Sequence, residues 1–183
     1  MRAADISDQL STILVTEEEI QQKLRELAAQ VDADYAGKDL LLVGVLKGAV
    51  MVMADFARSL TRDIEMDWMA VSSYGAGTKS SGVVQIRKDL DTDISGKHVL
   101  IVEDIIDSGL TLSWLLENFA ARGAASIEVL ALLRKPEAAK VEIDCRYVGF
   151  DIPVEFVVGY GLDYAERYRN LRDVAILAPH VYS

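Results

Sequence analysis

Long apolar runs recur along the chain, and each has the length of a β-strand rather than of a membrane-spanning helix. The clearest are residues 40–46 (LLLVGVL), 98–104 (HVLIVED) and 127–135 (IEVLALLRK). A run that is apolar at consecutive positions, not at alternate ones, is typical of a strand covered on both faces of a sheet. These segments therefore predict the buried core of a parallel sheet.

Helical patterns separate the apolar runs. Residues 16–31 repeat apolar side chains at helical spacing, and they open with Thr16 and Glu19 in the pattern of a capping box. Residues 49–60 and 111–123 are interpreted as two further helices. Additional strands are expected at 64–73, at 83–90, in two short pieces within 146–163, and at 174–179. Strands that alternate with helices predict an α/β fold with a mostly parallel, doubly wound sheet.

Composition and charge narrow the classes of function. Hydrophobic residues make up 51% of the chain and charged residues 26%, and the first ten residues lack the pattern of a secretory signal. The formal net charge of −10 disfavours nucleic acid as a main partner. A single cysteine, Cys145, excludes an intramolecular disulfide and fits a reducing cytosol. We therefore expect a cytoplasmic protein that binds neither membrane nor nucleic acid.

Three acidic residues mark the most informative segment, VLIVEDIIDSGLT at 99–111. The apolar strand runs directly into Glu103 and Asp104, and Asp107 follows after two isoleucines. In open parallel sheets, ligands bind beyond the carboxyl ends of the strands. Clustered acids at such an end need partners, and sugar hydroxyls, a magnesium ion or a proton would serve.

A phosphate-binding loop is expected directly after these acids. Residues 105–110 are interpreted as a loop and Thr111 as the start of a helix, whose N-terminus would present free N–H groups to an anion. Ser108 and Thr111 would add hydroxyl donors, and Gly109 would let the backbone come close. An ordinary helix cap would explain Ser108 or Thr111, but it leaves the paired acids unexplained.

The same segment closely resembles the phosphoribosyl-pyrophosphate motif of type I phosphoribosyltransferases, in the form found in hypoxanthine-guanine phosphoribosyltransferases. The resemblance covers about residues 10–180 and includes GVLKGA, SSYG, LLRKP and FVVGYGLDYAERYRNL in the family's order. It implies an α/β fold with a type I phosphoribosyltransferase-like core, a mostly parallel sheet flanked by helices, and a small hood. Residues 1–183 would form a single domain, with the hood mainly from about 136–183.

The resemblance also implies an activity. The protein would transfer the 5-phosphoribosyl group of phosphoribosyl pyrophosphate to hypoxanthine or guanine with Mg²⁺ as cofactor, as a homodimer or homotetramer. Two alternatives stay open at this point. One is a phosphoribosyltransferase that prefers xanthine, and the other, of a different class, is an RNA-binding regulator of pyrimidine operons with the same core.

Residue roles on the phosphoribosyl side follow from the resemblance. Glu103 and Asp104 would hold the ribose hydroxyls, directly or through magnesium, and Asp163 would anchor a second magnesium. A non-proline cis peptide is expected between Leu46 and Lys47. The residues expected to contact phosphoribosyl pyrophosphate are Lys47, Gly48, Glu103, Asp104, Ile106, Asp107, Ser108, Gly109, Leu110, Thr111 and Arg169.

Residue roles on the purine side follow in the same way. Asp107 would act as the general base or proton partner at purine N7, although from the residues alone it could equally cap the helix or bind backbone amides. Lys135 would donate to the 6-oxo group, and Phe156 would stack on the base. Val157 and Asp163 would complete the purine side. Ser73 and Tyr74 would begin a lid that closes over the substrates.

Overall fold

Nine strands and four helices lie in the two ranges that the computed structural model describes, residues 1–73 and 84–182. The strands are β1 (Leu10–Val15), β2 (Leu40–Leu46), β3 (Glu65–Ser73), β4 (Val84–Lys88), β5 (His98–Ile106), β6 (Ser126–Arg134), β7 (Tyr147–Asp151), β8 (Val157–Val158) and β9 (Val174–Leu177). The helices are α1 (Glu17–Asp34), α2 (Val50–Ser59), α3 (Leu110–Ala121) and α4 (Pro179–Tyr182). None of the helices in these ranges combines the length and the apolar character that a membrane crossing requires.

Six strands form the main sheet, in the order β4-β3-β2-β5-β6-β7. Every neighbouring pair is parallel except β3 with β4. Successive residues of β5 face opposite sides, because Leu100 and Val102 pack with the core under α1 and α2, whereas Val99 and Ile101 pack with the core under α3. The predicted α/β fold with a mostly parallel sheet is thereby confirmed.

A small antiparallel sheet of order β1-β9-β8 stands apart from the main sheet. Strand β1 was not among the predicted elements, and it brings a segment close to the N-terminus into this sheet. Strand β7, which lies within the segment expected to build the hood, pairs with β6 in the main sheet instead. The small sheet is therefore assembled from both ends of the chain.

The predicted boundaries near the motif were wrong. Strand β5 continues two residues beyond Asp104, because its parallel pairing with β6 extends to Ile106 opposite Arg134. Helix α3 begins at Leu110, so the connection is only three residues long, 107–109. The capping box at α1 is confirmed: the Thr16 hydroxyl accepts from the Glu19 N–H at 3.3 Å, and the Glu19 carboxylate accepts from the Thr16 N–H at 2.8 Å.

Candidate active site

The connection between β5 and α3 has the geometry of an anion-binding loop. Gly109 is the N-cap of α3 and has a φ of 80°, a left-handed conformation that favours glycine. A Cβ at this position would also lie 2.7 Å from the Val141 carbonyl oxygen. The Ser108 carbonyl accepts from the N–H groups of Lys140 and Val141, at 3.0 and 3.2 Å, which holds the loop in place. The free N–H groups of α3 can therefore face a phosphate.

A hollow of about 130 Å³ lies over this loop. Its lining includes the hydroxyl side chains predicted for phosphate binding, Ser108 and Thr111, together with the carboxyls of Glu103 and Asp107. Ile106 also lines it, and Leu110 begins α3 beside it. The structure thus brings the predicted phosphate-loop residues together.

Glu103 and Asp104 lie on opposite faces of β5, because both residues belong to the strand. Glu103 lines the hollow over the loop, whereas Asp104 lines a larger cleft on the other face. Burial raises the pKa of Glu103 well above its usual range, and the neighbouring charge of Asp104 raises it further. Burial also raises the pKa of Asp104 to about 6. Each carboxyl would gain from a cation or a hydrogen-bond donor brought by a ligand.

The larger cleft has a volume of about 360 Å³. Most residues predicted from the family resemblance meet there, although they come from four separate parts of the chain. The predicted residues that line it are Lys47, Gly48, Asp104, Asp107, Lys135, Phe156, Val157, Asp163 and Arg169. Two apolar residues that were not predicted, Ile105 and Leu162, also line it.

The turn after β2 forms one wall of the cleft. The peptide bond between Leu46 and Lys47 is cis, as predicted. A Cβ on Gly48 would overlap the Asp104 carboxylate, so only glycine fits there with the present arrangement. On its other side, the Gly48 carbonyl packs against Gly161, where a Cβ would overlap it. Backbone from the first half of the chain therefore touches backbone from the second half at this wall.

Two cations of the cleft share one acidic partner. The Lys47 ammonium lies 3.2 Å from the Glu166 carboxylate, and the Arg169 guanidinium lies 3.2 Å from the same group. Arg169 also pairs with Asp163 at 2.8 Å. Glu166 was not predicted, and its spacing of three residues from Arg169 was the only hint in the sequence. An incoming anion would compete with Glu166 for both cations.

Lys135 and Asp107 form an ion pair at the base of the cleft. The Lys135 Nζ lies 3.2 Å from Asp107 Oδ2. Lys135 is only 8% exposed, and a buried ammonium requires an anionic partner, which Asp107 provides. The cleft therefore presents a hydrogen-bond donor directly beside an acceptor.

The aromatic side of the cleft is formed by Phe156, which is 43% exposed. Its ring contacts Tyr164 and Tyr182, with centroids 5.8 and 5.5 Å away. Val157 is buried in β8 beside it. An exposed ring supported by two neighbouring rings can stack on a flat ligand.

The predicted lid falls mostly outside the described residues. Ser73 is the last residue of β3, and Tyr74 lies outside the described ranges. The lid therefore stays a prediction.

The acidic residues of the cleft suit magnesium held jointly with a substrate. Among residues 1–73 and 84–182, no three His, Cys, Asp or Glu side chains stand close enough to hold a metal by themselves. Magnesium is usually bound by one or two carboxylates together with substrate phosphates. Asp104 and Asp163 line the same cleft and fit this mode, whereas Glu103 faces the hollow on the other side of β5.

Comparison with known proteins identifies the family. The family model "Phosphoribosyl transferase domain" matches residues 12–165. The chain is 53% identical over 179 residues to a hypoxanthine-guanine phosphoribosyltransferase of Mycobacterium bovis, with 94% of this chain and 89% of the relative covered. It is also 53% identical over 173 residues to the enzyme of the same name from Bacillus subtilis, with 94% and 96% covered.

The fold agrees with a solved structure of the same family. A crystal structure of a hypoxanthine phosphoribosyltransferase from Staphylococcus aureus superimposes with a TM-score of 0.95 at 48% identity, covering 98% of this chain and 97% of that one. Residues 12–165, which the family model matches, include the anion-binding loop and every residue that lines the cleft except Arg169. The chain therefore belongs to the phosphoribosyltransferase family, in its hypoxanthine-guanine phosphoribosyltransferase group.

Proposed function

We propose that this protein is a purine-salvage enzyme that transfers the 5-phosphoribosyl group of phosphoribosyl pyrophosphate to hypoxanthine or guanine, giving IMP or GMP and pyrophosphate. The pair of Lys135 and Asp107, 3.2 Å apart, carries the proposal. A 6-oxopurine protonated at N7 presents an acceptor, O6, beside a donor, N7–H. This edge is complementary to an ammonium that only donates and a carboxylate that only accepts.

The remaining groups account for the other parts of the substrates. The loop 107–109 and the N-terminus of α3 bind the 5′-phosphate. Asp104 and Glu103 approach the ribose from the two faces of β5, and Phe156 stacks on the base. The turn at Lys47 and Gly48, together with Arg169, binds the pyrophosphate oxygens.

The chemistry is a substitution at C1′ of the ribose. Purine N9 attacks C1′, the bond from C1′ to the pyrophosphate oxygen breaks, and the N7 proton passes to Asp107. Lys135 meanwhile holds O6 and fixes the orientation of the base. Lys47 and Arg169 stabilise the negative charge that develops on pyrophosphate. Magnesium, held by Asp104 and Asp163 together with the substrate, would neutralise part of that charge.

The assembly and location belong to the same proposal. We expect a cytoplasmic homodimer or homotetramer. In each subunit, Ser73 and Tyr74 would begin a lid over the substrates. Met66 and Val50 are apolar side chains that remain 44% and 36% exposed, and contact between subunits would cover such groups. Light scattering of the full chain measures the assembly, and a monomer at micromolar concentration would contradict it.

The test of the function is a pyrophosphate-release assay with phosphoribosyl pyrophosphate and Mg²⁺ over hypoxanthine, guanine, xanthine, adenine and orotate. Hypoxanthine and guanine should react with the highest kcat/KM. The relatives described above do not favour the two alternatives. A clear preference for xanthine, or RNA binding without transferase activity, would replace the proposal by one of them.

The assignment of Lys135 is tested by specificity. Adenine carries a 6-amino donor that faces the Lys135 donor, and a polar site can reject such an analogue by roughly 10⁴-fold. Lys135→Ala should therefore lower kcat/KM for hypoxanthine and guanine far more than for adenine. Lys38→Ala removes an exposed lysine between α1 and β2, outside the cleft, and serves as the control. Equal use of adenine and hypoxanthine by the wild type would show that the assignment is wrong.

A further inference from the structure

Tyr160 has a backbone conformation that non-glycine residues rarely adopt. Its φ is 48°, and it stands between Gly159 and Gly161, whose φ values are 100° and 102°. Left-handed backbone at a bulky residue costs free energy and persists only where surrounding contacts hold it. The contacts that hold Tyr160 therefore indicate what the conformation is for.

The Tyr160 side chain makes a short, partly buried hydrogen bond to helix α2. Its ring is buried, and its hydroxyl donates to Asp55 Oδ2 at 2.5 Å. Gln21 Nε2 donates to the same oxygen at 2.6 Å. Burial raises the pKa of Tyr160 far above its usual value, so the hydroxyl keeps its proton and remains a donor.

This bond joins two segments that both contribute residues to the lining of the cleft. Asp55 lies in α2, which begins at Val50, immediately after the turn of Lys47 and Gly48. Tyr160 begins the loop that leads to Asp163. The bond therefore fixes the helix that follows the turn of Lys47 and Gly48 to the loop that leads to Asp163.

Backbone contacts connect Tyr160 to two groups of the proposed pyrophosphate site, the turn at Gly48 and Arg169. The next residue, Gly161, packs directly on the Gly48 carbonyl. The Gly161 carbonyl accepts from Arg169 Nη1 at 2.8 Å, and the Gly161 N–H donates to the Arg169 carbonyl at 3.0 Å. A shift of Tyr160 would thus move Gly161 and Arg169 together relative to the turn at Gly48.

We propose that Tyr160 is a positioning residue, which holds the loop 159–163 against the turn of Lys47 and Gly48 so that the pyrophosphate site is formed before the substrate binds. This inference rests on the proposed function. Without the bond to Asp55, substrate binding must itself order the loop, and that cost appears as weaker binding of phosphoribosyl pyrophosphate and of pyrophosphate. The purine side, built around Lys135 and Asp107, lies outside this contact.

The experiment compares two tyrosines that make the same kind of bond. Tyr147 is 1% exposed, and its hydroxyl donates to Asp34 Oδ2 at 2.7 Å on α1, away from the cleft. Tyr160→Phe and Tyr147→Phe each remove one buried hydroxyl bonded to a helical aspartate. Both should lower thermal stability by similar amounts. Only Tyr160→Phe should raise KM for phosphoribosyl pyrophosphate and Kd for magnesium pyrophosphate, by about tenfold, with KM for hypoxanthine changed less than about twofold.

A second variant keeps the test decisive. Asp55→Ala removes the acceptor of this hydrogen bond, and combined with Tyr160→Phe it should add little to the change in KM, because both variants disrupt one interaction. If Tyr160→Phe does not fold at the assay temperature, Asp55→Ala alone is compared with Tyr147→Phe. Equal KM values for phosphoribosyl pyrophosphate in the two tyrosine variants would overturn the inference. The proposed function is tested separately, by the activity of the wild type with hypoxanthine.

Discussion

Asp107 is the residue on which the proposed proton transfer depends. It is 57% exposed at its side chain, yet it is also the anionic partner of the buried Lys135. Asp107→Asn keeps the size of the side chain but removes the proton acceptor. Turnover should fall on the order of 10²-fold or more, while phosphoribosyl pyrophosphate still binds. Single-turnover rates and the Kd for phosphoribosyl pyrophosphate check both parts, and near-normal turnover would remove Asp107 from the mechanism.

At the residue scale, the sequence predicted which residues line the cleft better than it predicted which of them contact each other. Lys135, Asp107 and Asp104 were assigned from a contiguous motif and its satellites, and the structure brings them to one cleft. Glu103 and Asp104 were predicted to hold the ribose hydroxyls, and that role stays a prediction; the strand continues through both residues, so their side chains lie on opposite faces. The alternation of side chains along a strand was the signal in the sequence that could have predicted this separation.

Other residues could not be found from the sequence because their partners are distant. Asp55 and Tyr160 are 105 positions apart, and Lys47 and Glu166 are 119 apart. Each pair forms only after the loop 159–169 has folded back on the turn of Lys47 and Gly48. Nothing in the local composition around Asp55 distinguishes it from an ordinary acidic residue on a helix.

At the element scale, a partner that is distant along the chain likewise explains why β1 was not predicted. Its sequence, LSTILV, is short and mixed, and its partner β9 lies far along the chain, with Val15 opposite Val174. The central strands β2, β5 and β6 were predicted because burial on both faces makes most of their positions apolar. An edge strand of a small sheet has no such pattern, since one side of it faces solvent.

The anion-binding loop also belongs to the element scale, because a single glycine sets how β5 passes into α3. Gly109 and Gly96 have similar left-handed backbones, with φ values of 80° and 73°. A Cβ on Gly96 would meet nothing within 4 Å, whereas one on Gly109 would lie 2.7 Å from the Val141 carbonyl oxygen. The two positions therefore form a matched pair for substitution.

Gly96→Ala and Gly109→Ala should each lose about 1–2 kcal/mol of stability from the left-handed alanine. Only Gly109→Ala should also displace the phosphate loop, and it should raise KM for phosphoribosyl pyrophosphate on the order of 10-fold to 10²-fold. Denaturant unfolding and initial rates measure the two effects. If Gly96→Ala changed KM as much, the effect would belong to stability and not to the loop.

At the scale of the whole molecule, the ligand site gathers basic side chains although the chain as a whole is acidic. The chain carries a formal net charge of −10, yet Lys47, Lys135 and Arg169 converge on one cleft. Each of them is paired with an acidic residue there, so the cleft has little free positive charge for a substrate with several phosphates. Asp104 adds a further, partly buried carboxyl to the lining of the cleft.

Magnesium, if bound as proposed above, would reduce this conflict of charge, so the activity should depend on it. Asp104 and Asp163 offer hard oxygen donors, and substrate phosphates would complete the coordination. Excess chelator should abolish turnover, and added Mg²⁺ should restore it. Calorimetry should show in parallel that phosphoribosyl pyrophosphate binds more weakly without Mg²⁺, because like charges in a partly buried cleft repel strongly. Asp163→Asn should weaken the response of this affinity to Mg²⁺, whereas Asp144→Asn, outside the cleft, should leave it unchanged. Full activity in excess chelator, with unchanged affinity, would show that the acids of the cleft do not act through a metal.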